Sequence, residues 1–133
     1  MVCVAIKILV IEDDIDVLET VGRVLEEAGY TPILTADGRE GMIAFESHSP
    51  SLVITDLFMP VREGIEIIME MRRSRPDAKI IAMSGGGQMG AMEYLEVAEK
   101  LGATAALPKP FEPDDLVGAV VRLLSGQTPL SCG

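Results

Sequence analysis

Residues 52–64 have the sequence LVITDLFMPVREG, in which a short apolar run ends at a single carboxylate, Asp56. The β-branched and apolar residues before Asp56 predict a buried strand, and Pro60 and Gly64 predict a turn that leads into a new helix. Asp56 is therefore expected at the carboxyl end of that strand. In open α/β sheets, ligands bind beyond this end of the strands.

Similar apolar runs alternate with helical patterns along the whole chain. The predicted strands cover residues 5–11, 30–35, 52–56, 79–83 and 103–107, and the predicted helices lie near residues 16–29, 38–47, 65–75, 91–101 and 114–124. Strands that alternate with helices predict right-handed βαβ crossovers and a parallel sheet with helices on both faces. The predicted fold class is therefore α/β.

The ends and the apolar faces of the helices are predicted from the same pattern. Asp16 and Glu19 resemble a capping box at the start of the first helix, and Asp14 is better explained as a capping residue than as a ligand. Pro32 indicates that the second strand lies at an edge of the sheet. The apolar face of the third helix is predicted to include Met69, and the second and last helices carry the apolar residues Ile43 and Val121.

The size and composition of the chain restrict its class. Its 133 residues suit one domain with a substantial core, so we expect a folded domain over residues 1–125 and a flexible tail over 126–133. No apolar run is long enough to span a bilayer and no leader segment is recognisable, which indicates a cytoplasmic protein. Cys3 and Cys132 lie near opposite termini and have no metal-type spacing, so we expect free thiols in a reducing compartment and not a disulfide framework. The net charge of −10 argues against a nucleic-acid partner.

Polar residues stand at the ends of four predicted strands. Glu12 and Asp13 follow the first strand, Asp56 ends the third, Ser84 follows the fourth and Lys109 follows the fifth. A parallel sheet would bring all of them to one edge. Carboxylates held together repel one another, and a hard divalent cation such as Mg²⁺ supplies the counter-charge. With a hydroxyl and an ammonium beside the cation, the predicted chemistry is phosphoryl transfer to a carboxylate.

Together, these motifs resemble the receiver domain of bacterial two-component response regulators, of the stand-alone type. The resemblance covers about residues 6–125 and rests on several motifs in the right order: Glu12-Asp13, Asp56 followed by Met59-Pro60 and Gly64, Ser84, and Lys109-Pro110-Phe111. It implies a flavodoxin-like fold, in which a doubly wound sheet of five parallel strands has the order 2-1-3-4-5.

The resemblance also implies a role for each of these residues in a phosphorelay. Asp56 would accept a phosphoryl group from a histidine kinase or a histidine phosphotransfer protein. Ser84 and Lys109 would bind the phosphoryl oxygens, and the Lys109–Pro110 bond is expected to be cis. Mg²⁺ would be bound by Glu12, Asp13, Asp56 and the backbone carbonyl of Phe58. Such a protein is a regulatory phosphoacceptor, not an enzyme, and would act through protein partners as a monomer or weak dimer, with no membrane partner.

Two other functions agree with part of the pattern. A haloacid-dehalogenase-like phosphatase also has a strand-end Asp nucleophile, but that class has an Asp-x-Asp motif, and here Phe58 stands at the second position. A nucleotide-binding module could use the glycine-rich residues 85–90, yet no Gly-Lys-Ser/Thr follows them. The chain also departs from most receivers, which carry an aromatic residue three positions before the lysine, where this chain has Ala106. We therefore expect phosphorylation to act on residues 85–101.

Overall fold

The computed structural model describes residues 6–56, 64–84, 100 and 102–124, with the backbone alone for residues 64, 65 and 84. The elements within these ranges are β1 (Lys7–Ile11), α1 (Ile15–Glu27), β2 (Thr31–Thr35), α2 (Gly38–His48), β3 (Leu52–Asp56), α3 (Gly64–Ser74), β4 (Ile80–Ser84), β5 (Ala105–Pro108) and α4 (Pro113–Leu123). Several predicted features lie outside the described residues: the helix near residues 91–101 and the rest of the segment 85–101 on which phosphorylation is expected to act, apart from residue 100, and also the tail, Phe58 and both cysteines.

All five strands are parallel and form one sheet in the order β2-β1-β3-β4-β5. This order confirms the predicted α/β fold, and the position of β2 confirms that Pro32 lies in an edge strand. The register pairs Ile11 with Thr55, Asp56 with Met83 and Ser84 with Pro108. The carboxyl ends of the strands therefore meet along one edge of the sheet.

The central strands are buried on both faces, as their continuous apolar sequences require. In β3, all five residues are buried, including Thr55 and Asp56. Alternate side chains enter two cores. One contains Ile8, Val10 and Ile54 with residues of α1 and α4. The other contains Leu9, Ile11 and Val53 with residues of α2 and α3. Helices thus cover both faces of the sheet.

The first helix begins one residue after Asp14, which is its N-cap. The Asp14 carboxylate accepts hydrogen bonds from the backbone N–H groups of Asp16 and Val17, at 3.0 and 3.4 Å, and these contacts confirm its capping role. The predicted Asp16–Glu19 capping box is wrong, because α1 starts before Asp16 and that residue already lies within the first turn.

The predicted apolar face of α3 is wrong at Met69, and the apolar residues Ile43 of α2 and Val121 of α4 are exposed as well. The exposed fractions are 61% for Ile43, 39% for Met69 and 52% for Val121. In each case a neighbour in sequence is buried instead: Met42, Ile68 and Val120, respectively. Consecutive helical residues point about 100° apart, so the side of a helix that faces the sheet does not include every residue of an apolar run, and these three residues point away from it.

The second helix packs close to the sheet at Gly41. A Cβ atom at this position would lie 2.7 Å from Cγ1 of Ile11 and would also meet its Cδ1. Ile11 is fully buried in β1, so it has little room to move. Glycine is therefore the residue that lets α2 lie against the strand that leads to Glu12.

Candidate functional site

Three carboxylates meet at the carboxyl edge of the sheet. Ligand oxygens of Glu12, Asp13 and Asp56 all lie within 4.8 Å of one another. Glu12 and Asp56 are buried, with exposed fractions of 1% and 5%, whereas Asp13 is exposed. The fold brings the first two residues directly from the end of β1 and the third from the end of β3.

The backbone around Glu12 is fixed by its neighbours. Its N–H donates to the carbonyl oxygen of Thr35 at 3.1 Å, which extends the pairing of β1 with β2 by one residue. The Asp14 N–H donates to Oε2 of Glu12 at 3.2 Å. Two hydrogen bonds therefore fix Glu12: one holds its backbone against β2, and the other holds its carboxylate.

Lys109 approaches the carboxylates from the residue after β5. Its Nζ lies 2.5 Å from Oε1 of Glu12 and 3.5 Å from Oδ1 of Asp56. The Lys109–Pro110 peptide bond is cis, as the family resemblance implied. The sequence did not predict that Glu12 would be the nearest partner of Lys109, because these residues stand 97 positions apart and no local pattern links them.

The remaining predicted site residues are less fully described. Ser84 is the last residue of β4 and lies in the sheet beside Pro108, at the same edge as Asp56. Its side chain lies outside the described part of the structure, and so does Phe58. The structure therefore brings four of the predicted residues together: Glu12, Asp13, Asp56 and Lys109.

Burial and charge alter the proton affinities of the buried pair. The pKa of the Glu12 carboxyl is raised to about 7, because burial and the negative charge of Asp56, which raise it, outweigh the hydrogen bond and the positive charge of Lys109, which lower it. Burial also acts to lower the pKa of the Lys109 ammonium. The hydrogen bond to Glu12 and the charges of Asp56 and Glu12 outweigh this effect, and the pKa of Lys109 is raised.

The donor set fits a hard divalent cation. The three clustered groups offer only carboxylate oxygens, the ligands that Mg²⁺ prefers. When ionised, three carboxylates against the single ammonium of Lys109 leave two negative charges, which a divalent cation would balance. Glu12, Asp13 and Asp56 are therefore the described residues that could hold Mg²⁺.

A comparison with protein families identifies the class to which this site belongs. The family described as "Response regulator receiver domain" matches residues 8–121. The chain belongs to this family, whose members act in two-component signalling, are phosphorylated by histidine kinases and bind Mg²⁺ at an acidic pocket. No described helix has the length and apolar character needed to cross a membrane.

Curated relatives include both multidomain and small proteins. The chain is 32% identical to "Response regulator MprA" of Mycolicibacterium vanbaalenii over 124 residues, which are 93% of this chain and 52% of the relative. It is 27% identical to "Sporulation initiation phosphotransferase F" of Bacillus subtilis over 118 residues, 89% of this chain and 93% of that protein. The chain thus spans about half the length of some relatives and nearly all of others.

Solved structures show the same fold. A receiver domain protein from Clostridium thermocellum has a TM-score of 0.84 at 30% identity, covering 92% of this chain and 96% of that one. The chemotaxis protein CheY4 of Vibrio cholerae has a TM-score of 0.82 at 28% identity, covering 91% of this chain and 100% of that one. Similarity over nearly whole chains supports the observed strand order.

Proposed function

We propose that this protein is a phosphoacceptor in which Asp56 receives a phosphoryl group from the phosphohistidine of a histidine kinase or a histidine phosphotransfer protein. The observation that carries the proposal is the carboxylate cluster with Lys109 Nζ 3.5 Å from Asp56, at the carboxyl edge of a receiver fold. A carboxylate at this position has both a counter-charge and neighbouring oxygen ligands for a cation, as phosphoryl transfer requires.

In the proposed reaction, an oxygen of Asp56 forms a bond to phosphorus while the bond between phosphorus and the donor's imidazole nitrogen breaks. The imidazole leaves with the electron pair of that bond and takes up a proton. Lys109 stabilises the negative charge on the phosphoryl oxygens, and the Ser84 hydroxyl donates to another of them. The chain assists only its own phosphorylation and dephosphorylation, so we class it as a regulatory protein and not as an enzyme.

The reaction is proposed to depend on Mg²⁺. Glu12, Asp13 and Asp56 would hold the cation together with the backbone carbonyl of Phe58. When bound, Mg²⁺ supplies positive charge beside the phosphoryl oxygens and offsets the repulsion between them and the carboxylates. The mutual distances of the three carboxylates support this ligand set.

Several wider features are part of the same proposal. We infer that residues 1–125 form a stand-alone receiver domain, that residues 126–133 form a flexible tail, and that the protein works in the cytoplasm as a monomer or weak dimer. Its phosphorylated form would act by binding another protein. With 21 acidic against 11 basic residues, it is not expected to bind nucleic acid, and salt-sensitive DNA binding at micromolar concentration would contradict this part.

The test is phosphorylation of the purified protein by a small acyl phosphate in the presence of Mg²⁺, followed by intact mass. The wild type should gain one phosphoryl group, and Asp56→Asn should gain none, because the amide has no nucleophilic carboxylate oxygen. Asp14→Asn is the matched control, since Asn also caps helices and this variant should react like the wild type. Phosphate on the Asp56→Asn protein would refute the assignment, and continuous turnover of the donor with no stable product would indicate a phosphatase.

A further inference from the structure

The position of Lys109 depends on β5, a strand with little to fix its own register. This strand has four residues, lies at an edge of the described sheet and pairs with β4 alone. Leu107 is its one buried residue, since its two alanines are half-buried and Pro108 is exposed. Pro108 also has no N–H to give to the sheet. Strands with so few distinctive side chains specify their register weakly.

Contacts at the other end of β5 come from Arg72 in α3. Its Nε and Nη2 donate to the carbonyl oxygen of Gly102 at 3.1 and 2.5 Å, and Nη2 also donates to Oγ1 of Thr104 at 3.3 Å. Its Nη1 donates to the carbonyl oxygen of Pro76 at 2.7 Å. One guanidinium group therefore joins α3, the turn before β4 and the residues that lead into β5.

Thr104 forms hydrogen bonds with the neighbouring strand β4. Its hydroxyl oxygen accepts the Ile80 N–H at 3.0 Å, and its own N–H donates to the Ile80 carbonyl at 2.7 Å. Thr104 thus pairs with the first residue of β4 while Arg72 binds the same hydroxyl. These bonds fix which residue of the β5 segment stands beside Ile80.

Arg72 and Gly102 are closely packed against their neighbours. Arg72 follows Met71, which is fully buried together with Ile67 and Ile68 in the core beneath α3. At Gly102, φ is +138°, and a Cβ would lie 3.3 Å from both Cβ and Cγ of Arg72. The backbone at residue 102 can therefore lie against the stem of Arg72 only because the residue is glycine.

We propose that Arg72 is a positioning residue for Lys109. By fixing the register of β5 against β4, it sets where the Lys109 ammonium stands relative to Asp56. A slip of two residues would keep each side chain on its face of the sheet and would move Lys109 by about 6.6 Å. Smaller displacements also matter, because a misplacement of about 1 Å can cost about 100-fold in rate. This inference rests on the proposed phosphoacceptor function.

The test is a double-mutant cycle between Arg72 and Lys109, read as the rate of phosphorylation by a saturating acyl phosphate at a temperature where every variant is folded. We expect Arg72→Gln to slow the wild-type reaction by about tenfold or more. The same change in a Lys109→Met protein should slow it less than about twofold, because the group that Arg72 positions is already missing. Arg73→Gln is the control: it removes the same charge from an exposed neighbour and should leave the rate unchanged.

Equal slowing in both backgrounds would show that Arg72 supports the fold without acting through Lys109, and an unchanged rate in Arg72→Gln would also overturn the proposal. If Arg72→Gln does not fold, Thr104→Val replaces it in the cycle, since valine keeps the shape of the side chain but removes the shared hydroxyl. A wild-type protein that gains no phosphate would refute the proposed function itself. A wild type that reacts, with independent effects of the two substitutions, would refute only the role of Arg72.

Discussion

In the metal-free protein, raising the pH from 4.5 to about 8 should lower the free energy of unfolding through Glu12. The pKa of this carboxyl is about 7 in the folded chain, against an ordinary value of 4.5. Folding therefore favours the protonated form of Glu12. The contribution of this group to the free energy of unfolding is fully present below pH 4.5 and is lost as the pH rises through about 7. Because one unit of pKa corresponds to about 1.4 kcal/mol, the loss should be about 3 kcal/mol.

The assay compares the wild type with Glu12→Gln, whose neutral side chain cannot titrate. Urea unfolding followed by far-UV circular dichroism suits a chain without tryptophan, and EDTA keeps the site free of metal. The difference in unfolding free energy between the two proteins should change by about 3 kcal/mol across the pH range, in favour of Glu12→Gln at high pH. The ion pair with Lys109 needs no separate correction, because the attraction of this ammonium for the ionised carboxylate is already part of the Glu12 pKa, and the pKa of Lys109 is itself raised, so that it stays charged throughout.

Glu27→Gln is the control for net charge, since Glu27 is an exposed carboxylate at the end of α1. It changes the net charge by the same amount as Glu12→Gln, and the pH-dependent difference measured for Glu12→Gln should exceed the one measured for this variant. A difference between Glu12→Gln and the wild type that stays flat with pH, or a wild type that gains stability relative to Glu12→Gln as the pH rises, would refute the assignment of Glu12 as a buried carboxyl of raised pKa.

Two further substitutions test the cation site and the packing that leads to it. Asp13→Asn should weaken Mg²⁺ binding by more than about tenfold in a calorimetric titration, because a ligand is lost. It should leave the metal-free protein at least as stable as the wild type, because repulsion among the carboxylates falls. An unchanged Mg²⁺ affinity would show that the metal binds elsewhere. Gly41→Ala should cost about 1–3 kcal/mol in urea unfolding, because its Cβ would lie 2.7 Å from Cγ1 of Ile11. Gly118→Ala, with open space around the new methyl group, should instead gain up to about 1 kcal/mol, and equal effects at both glycines would contradict the close packing of α2.

Much of the fold could be predicted because strands and helices carry different periodicities and the glycines and prolines separate them. The burial of β3 and the position of Asp56 at its end follow from the continuous apolar run alone. The faces of the helices could not be predicted as well. Met42 and Ile43 are adjacent apolar residues, and only the direction of the sheet decides which of them is buried. The same ambiguity explains the error at Met69 and the exposure of Val121.

The site was predictable only as a set of residues at strand ends. Parallel topology brings such ends together, so the convergence of Glu12, Asp56 and Lys109 could be anticipated. Their individual contacts could not, because the distance between Lys109 and Glu12 depends on how β5 and its neighbours pack. The proposed role of Arg72 could not be predicted from the sequence either. Three arginines near the end of α3 indicate only a favourable interaction with the helix dipole.

The separation of Lys109 from Glu12 by 97 residues has a consequence for synthesis of the chain. The ribosome delivers the acidic end of β1 early and the lysine late, so a growing chain holds Glu12, Asp13 and Asp56 before their ammonium exists. Contacts between such distant residues also form slowly, because a long loop must close first. Until β5 joins the sheet, Lys109 cannot lie beside Glu12 and Asp56. Under the proposed mechanism, a kinase would therefore find an aspartate ready for phosphate only in chains whose synthesis and folding have passed residue 109.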